Sequence, residues 1–275
     1  MRTQITAALV MLLAGAGQPA QSQEGRTSKG GLRFTLDGRG ADVVLIHAFQ
    51  MDLREWDDMA AHLDGKRRVL RYDVRGHGRS DAIDPLPSSV EDLRSLLDEL
   101  GISRATLVGC SMGSTIALDF ALTYPNRVER LILLSPGIPG IKATASFDWM
   151  QPIIAAVKAK DPNGAAALWW ESPLVAGLRG MPNAARYRSI ILDNARIWTI
   201  PRPPPPLQPA AGQRLKDVGV PVIVAAGELD RSGSIENARA VADGVRRGTY
   251  IGVPNAGHML SIERAELVSG WIQKH

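Results

Sequence analysis

The pentapeptide Gly109-Cys110-Ser111-Met112-Gly113 constrains the fold of this chain more than any other stretch. It follows the apolar, β-branched run Ala105–Val108 directly. It then leads without a break into Met112–Tyr124, a helical pattern that Pro125 closes. A bare G-x-S-x-G arises by chance roughly one time in ten in a chain of this length. A strand before it and a helix after it remove most such accidents, because a sharp strand-to-helix turn is what exposes the serine hydroxyl. The turn also explains its glycines. Neighbouring backbone comes so close that side chains two before and two after the serine would clash, and the serine itself takes a strained conformation. The helix that follows directs its N-terminal dipole toward an oxyanion forming beside Ser111.

The rest of the chain repeats this strand-helix rhythm. Val43–Ile46, Val69–Tyr72, Leu131–Leu134 and Val222–Ala226 are short apolar runs, as expected for strands covered on both faces. Leu32–Leu36 alternates and reads as an edge strand, and a further strand is expected around Tyr250–Val253. Ser88 or Ser89, followed three residues later by Glu91 or Asp92, opens a helix as a capping box, and Gly101 ends it. Ile235–Val245 and Met259–Gln273 read as the last two helices. The pattern predicts an α/β fold with a mainly parallel central sheet and helices on both faces. The rhythm stops at residues 136–213, where strand runs are lacking and Trp149, Trp169, Trp170 and Trp198 fall. This stretch is expected to form a helical insertion, with the proline-rich Pro201–Pro209 running extended back to the main body. The core is then residues 23–135 and 214–275, one globular domain by length.

A serine alcohol needs a base within hydrogen-bond reach, and the base needs an orienting group. Of five histidines, His258 lies in Ala256-Gly257-His258 after the last expected strand, where a glycine lets the imidazole reach over the sheet's carboxyl edge. His275 is the last residue, and His62 falls on an amphipathic helix. The acid should follow a strand between serine and histidine, which points to Asp230 in Gly227-Glu228-Leu229-Asp230. Glu228 is the fallback; closer to the strand end and facing the other way, it reads as a solvated turn carboxylate.

The formal net charge of +4 is spread along the chain, with no basic block or aromatic-basic interleaving to suggest nucleic-acid binding. A single cysteine, Cys110, excludes an internal disulfide, and no Cys/His spacing suits zinc, so neither metal nor cofactor is implied. Residues 1–22 read as a secretory signal peptide: Arg2, an apolar stretch from Ile5 to Ala16, then small and polar residues. The apolar stretch falls short of the about 20 residues of a membrane-spanning helix. Cleavage after Ala16 or Ser22 would release an exported protein with no following cysteine for a lipid anchor.

With these residues in place, the sequence resembles the α/β-hydrolase family over about Gly31–Pro136 and from Leu215 to the C-terminus. His47-Ala48-Phe49 stands where the family has a His-Gly-x oxyanion turn, and Asp73-Val74-Arg75-Gly76-His77-Gly78-Arg79-Ser80 matches its D-x-R-G-H-G-x-S loop. Ser111, Asp230 and His258 follow the family's order of serine, acid, histidine. The resemblance implies that the amides of Phe49 and Met112 hold the oxyanion and that His47 and His77 are scaffold. Ala48 departs from the usual glycine and would be strained if that position needs a positive φ. Serine at the elbow, in place of aspartate, favours acyl chemistry over epoxide opening or halide displacement. The implied activity is hydrolysis of a small carboxylic ester or lactone. Amide or C–C cleavage, acyl transfer, or a ligand-binding protein with little turnover remain open. Residues 136–213 resemble the family's cap, which would roof the serine, with Trp169 and Trp170 lining an apolar acyl pocket.

Overall fold

In the computed structural model, which describes residues 21–28, 30–82, 88–142, 144, 146–200 and 207–274, eight strands form one sheet. They are β1 (Gln21–Arg26), β2 (Arg33–Gly38), β3 (Asp42–Ile46), β4 (Arg68–Tyr72), β5 (Ala105–Cys110), β6 (Val128–Leu134), β7 (Val222–Gly227) and β8 (Gly248–Val253). The order is β1-β2-β4-β3-β5-β6-β7-β8. β1, β2 and β4 pair antiparallel, and every pairing from β4 to β8 is parallel. The helices among the described residues are α1 (Asp57–Leu63), α2 (Ser89–Glu99), α3 (Met112–Thr123), α4 (Gln151–Lys158), α5 (Pro162–Trp170), α6 (Ala176–Arg179), α7 (Ala184–Asp193), α8 (Ser232–Gly244), α9 (Leu260–Glu263) and α10 (Ala265–Gln273).

Alternation along the strands divides the core into two layers. Val44, Ile46, Leu107, Leu131, Leu133 and Val224 face one layer, covered by α2, α3 and α8 through Leu96, Phe120 and Val241. Val43, Leu45, Val108, Ile132 and Leu134 face the other, covered by α1, α9 and α10 through Met59, Leu260 and Val268. All six residues of β5 are buried, as a central parallel strand with both faces covered requires. Between β6 and β7 the chain leaves the sheet for α4–α7. Their buried side chains, among them Trp169, Tyr187 and Ile191, continue the second layer.

Three expectations need correction. The edge strand is not Leu32–Leu36: β2 lies between β1 and β4, and β1, in register from Gln21↔Gly38 to Arg26↔Arg33, is the edge. The expected helix Met259–Gln273 breaks at Arg264 (φ −140°, ψ 39°), whose guanidinium bonds Asn255 O at 2.6 Å. Ser88 does cap α2 by position but makes no capping hydrogen bond. The acids expected to complete that box are engaged elsewhere, Asp92 by Arg75 (2.7 Å) and Glu91 by Arg94 (2.9 Å). The expected extended run Pro201–Pro209 falls largely on residues 201–206, outside the described residues, as does most of the expected signal segment. No described helix is long and apolar enough to cross a membrane.

Candidate active site

The elbow forms where β5 turns into α3. Ser111 sits at φ 50°, ψ −111°, and its N–H donates to Leu134 O (2.8 Å), which ties the turn to β6. A Cβ on Gly109 would stand 2.2 Å from the Gly113 carbonyl, and one on Gly113 only 1.9 Å from Ile46 O. Both distances are far inside contact, so glycine is obligatory at these two places. Cys110 is fully buried, while Ser111 and Met112 are partly exposed. Burial, and next the neighbouring Glu55 charge, push the Cys110 thiol well above its ordinary pKa, so it stays protonated.

Asp230 and His258 arrive on the loops after β7 and β8. Gly227, ending β7, presses against the loop after β8, where an added Cβ would meet Ala256 O at 2.1 Å and Gly257 O at 2.2 Å. Asp230 Oδ2 lies 2.8 Å and Oδ1 3.1 Å from His258 Nδ1. The two side chains are 1% and 6% exposed. Burial works to raise the Asp230 pKa. The charge and hydrogen bond of His258, the Arg231 N–H (2.7 Å) and the adjacent Ser135 outweigh it, and the pKa is lowered. With Nδ1–H given to the carboxylate, Nε2 is the basic nitrogen; it is buried and has no partner among the described residues. Cys110 Sγ lies 4.0 Å from His258 O, which seats the histidine loop against the elbow. Glu228 is exposed, and its side chain takes no part in this pair.

The third loop is the turn after β3, closed by Met51 N–H to Ala48 O (3.1 Å). The conditional strain at Ala48 does not arise, because the left-handed residue is Gln50 at φ 62°. Its amide, turned to satisfy its neighbours, donates to Ile191 O (3.0 Å) and accepts from Trp198 Nε1 (2.8 Å). The N–H groups of Phe49 and Met112 have no hydrogen-bond partner among the described residues. His47 staples this turn to the Asp73–Ser80 loop: Nδ1–H donates to Ala48 O (2.8 Å), and Nε2 accepts from Val74 N–H (2.9 Å). Burial lowers its pKa, and burial with the neighbouring His47 lowers that of His77 to about 3. Both rings are neutral in the fold.

The helical segment between β6 and β7 reaches this turn through aromatic rings. Phe49 makes edge contacts with His77 (5.6 Å), Trp169 (5.3 Å) and Trp198 (5.1 Å), and Trp149 packs on Trp169 at 5.7 Å. Trp170 is buried in the second core layer and is in none of these ring pairs. Asn194, just past α7, donates to Asp52 Oδ2 (2.9 Å) and accepts from Gly78 N–H (2.6 Å), which fixes the segment to the sheet's upper edge. Sequence reading missed Gln50, Ser135 (φ 46°) and Glu55, which accepts the Ala48 N–H at 2.8 Å. No motif marks them; only the tertiary packing brings them to the site.

A model of the alpha/beta hydrolase family matches residues 43–270. A thermophilic esterase from Thermogutta terrifontis superposes with a TM-score of 0.72 at 25% identity, over 93% of this chain and 97% of its own. An enol-lactonase from Burkholderia xenovorans LB400 gives 0.76 at 23% identity, over 91% and 98%, a likeness of fold. A 2-hydroxy-6-oxo-6-phenylhexa-2,4-dienoate hydrolase from Comamonas testosteroni is 35% identical over 114 residues, 38% of this chain and 40% of that one.

Proposed function

The chain belongs to the alpha/beta hydrolase family, and on that premise we propose that it is a serine hydrolase cleaving a small carboxylic ester or lactone through an acyl-enzyme. The observation that carries this is the basic Nε2 of His258, buried and unpartnered among the described residues while Asp230 holds Nδ1. Ser111 Oγ gives its proton to Nε2 and attacks the carbonyl carbon. The carbonyl oxygen becomes an oxyanion held by the free N–H groups of Phe49 and Met112, with the positive end of α3 behind them. Collapse breaks the C–O bond, and the imidazolium hands its proton to the leaving alkoxide. Water, deprotonated by the same nitrogen, then frees the acid and Ser111.

An ester or lactone is favoured over other acyl compounds by an esterase that superposes over nearly all of this chain. Trp169, resting on Phe49 beside the proposed oxyanion site, lines the acyl pocket together with Trp149 and Trp198. Trp170 contributes to the core beneath it. Turnover of a simple aryl ester by purified protein, lost in Ser111→Ala, tests the proposal. A folded protein that hydrolyses no ester or lactone in a broad panel would refute it.

A further inference from the structure

Glu55 is a buried acid that the proposed reaction does not use, yet it stands under all three loops of the site. It is 2% exposed, in the short turn Leu53–Trp56. Its Oε2 accepts the N–H of Ala48, the residue before Phe49, at 2.8 Å. Beside the carboxyl lie the thiol of Cys110, the residue before Ser111, and the hydroxyl of Ser261, three residues past His258. Oε1 has no partner among the described residues. The backbone under it is pinned, with Glu55 N–H bonded to Asp52 O (2.9 Å) and Leu53 N–H to Asp73 Oδ1 (2.8 Å).

No cation among the described residues answers this carboxyl. The neighbouring Arg54 turns to Asp52 (2.9 Å) and Asp193 (3.0 Å), and the charge that acts on Glu55 is the carboxylate of Asp52 on the same turn. From the other packed elements the titratable groups are neutral His47 beside Ala48, the Cys110 thiol on the elbow, and Asp230 next to that thiol. Glu263 in α9 is engaged by the N–H groups of Gly257 (2.7 Å) and Met259 (3.1 Å).

We propose that Glu55 is a positioning residue: as a neutral carboxylic acid it holds the oxyanion turn from beneath, and its ionisation places a negative charge under the developing oxyanion. The inference rests on the serine-hydrolase reading above. The ionised form is disfavoured first by burial, which together with the Asp52 charge pushes the pKa up to about 8 against the favourable contacts of Ala48, Ser261 and Cys110. The unfolded chain loses this proton near the ordinary 4.5. The stability that neutral Glu55 contributes is therefore complete below about 4.5 and lost as pH rises to about 8.

The test uses steady-state kinetics and unfolding measured across pH. In the parent, kcat falls above about pH 8 with KM unchanged. Glu55→Gln keeps an oxygen for the Ala48 N–H and cannot ionise, so it keeps near-parent kcat at pH 7 and loses the alkaline fall. Glu55→Leu removes the acceptor and lowers kcat at every pH by about tenfold or more, again with KM unchanged. An alkaline fall that persists in Glu55→Gln overturns the proposal, as does full activity in Glu55→Leu. Should Glu55→Leu not fold, Glu55→Gln alone decides. If the parent hydrolyses no ester, the serine-hydrolase reading has failed, and the stability profile still judges Glu55. Its neutral state requires that the stability of the parent relative to Glu55→Gln fall as pH rises from about 4.5 to 8, and a difference that does not change with pH overturns it.

Discussion

Asp230 meets His258 Nδ1 with both carboxylate oxygens, at 2.8 and 3.1 Å, from a side chain almost wholly removed from water. This fixes which imidazole nitrogen can accept a proton. Asp230→Asn keeps the shape but can present its NH2 group to Nδ1, which favours the wrong tautomer. The expected result is a drop in kcat of about 10³- to 10⁴-fold with the melting temperature nearly unchanged. Glu228→Gln, at an exposed side chain, should leave kcat within about twofold. Steady-state kinetics of the pair checks the assignment, and the reverse pattern would move the acid to Glu228.

Ser111 holds a backbone conformation, φ 50° and ψ −111°, that only glycine adopts without strain. Releasing that strain is worth about 1–3 kcal/mol, against about 0.5–1 kcal/mol of extra chain entropy for glycine. Ser111→Gly should therefore be inactive yet melt a few degrees above the parent. Ser111→Ala keeps the Cβ and should be inactive without that gain. Thermal unfolding of the two variants side by side checks this, and a glycine variant less stable than the alanine one would contradict it.

His77 is buried, with its pKa lowered to about 3, whereas an unfolded histidine takes its proton near 6.5. Below 6.5 the unfolded chain thus binds the extra proton. The stability contributed by neutral His77 is complete above about 6.5 and is lost as pH falls toward 3, at up to about 1.4 kcal/mol per pH unit. In denaturant unfolding from pH 7 to 4, the stability of the parent relative to His77→Asn should fall by this amount, a slope difference of one proton. An equal slope in that variant would show that His77 is already charged in the fold.

What the sequence revealed was what depends on local sterics and chain order. The elbow needs Gly109 and Gly113 because backbone passes where their side chains would be. Asp230 and His258 had to follow successive parallel strands to meet over one sheet edge. What stayed hidden depends on distant partners. β1, reading Gln-Ser-Gln-Glu-Gly-Arg, has no apolar alternation and becomes a strand because β2 offers it a free row of backbone groups. The positive φ of the turn after β3 falls on Gln50, whose amide is satisfied by Ile191 and Trp198, some 140 residues on. Glu55 looks like a surface acid until Ala48, Cys110 and Ser261 close over it.

Export by residues 1–22 is expected from Arg2, the apolar stretch behind it and the small residues that follow. N-terminal sequencing of protein from its native cell should find a start between Gly17 and Gln23, in an extracytoplasmic fraction. Removal of residues 1–22 takes away only Arg2, so the formal charge goes from +4 to +3. An intact Met1 on the mature protein would contradict export.

The central claim is that Ser111 attacks, and its nearest rival is the adjacent thiol. Cys110 is fully buried and its thiol held protonated, while Ser111 is partly exposed and Nε2 of His258 is unpartnered among the described residues. A fluorophosphonate probe, followed by peptide mass spectrometry, tests this most directly. One equivalent should add to Ser111 with matching loss of esterase activity; Ser111→Ala should neither label nor turn over, and Cys110→Ser should do both. Labelling that persists in Ser111→Ala, or a folded parent protein that never labels, would contradict the account.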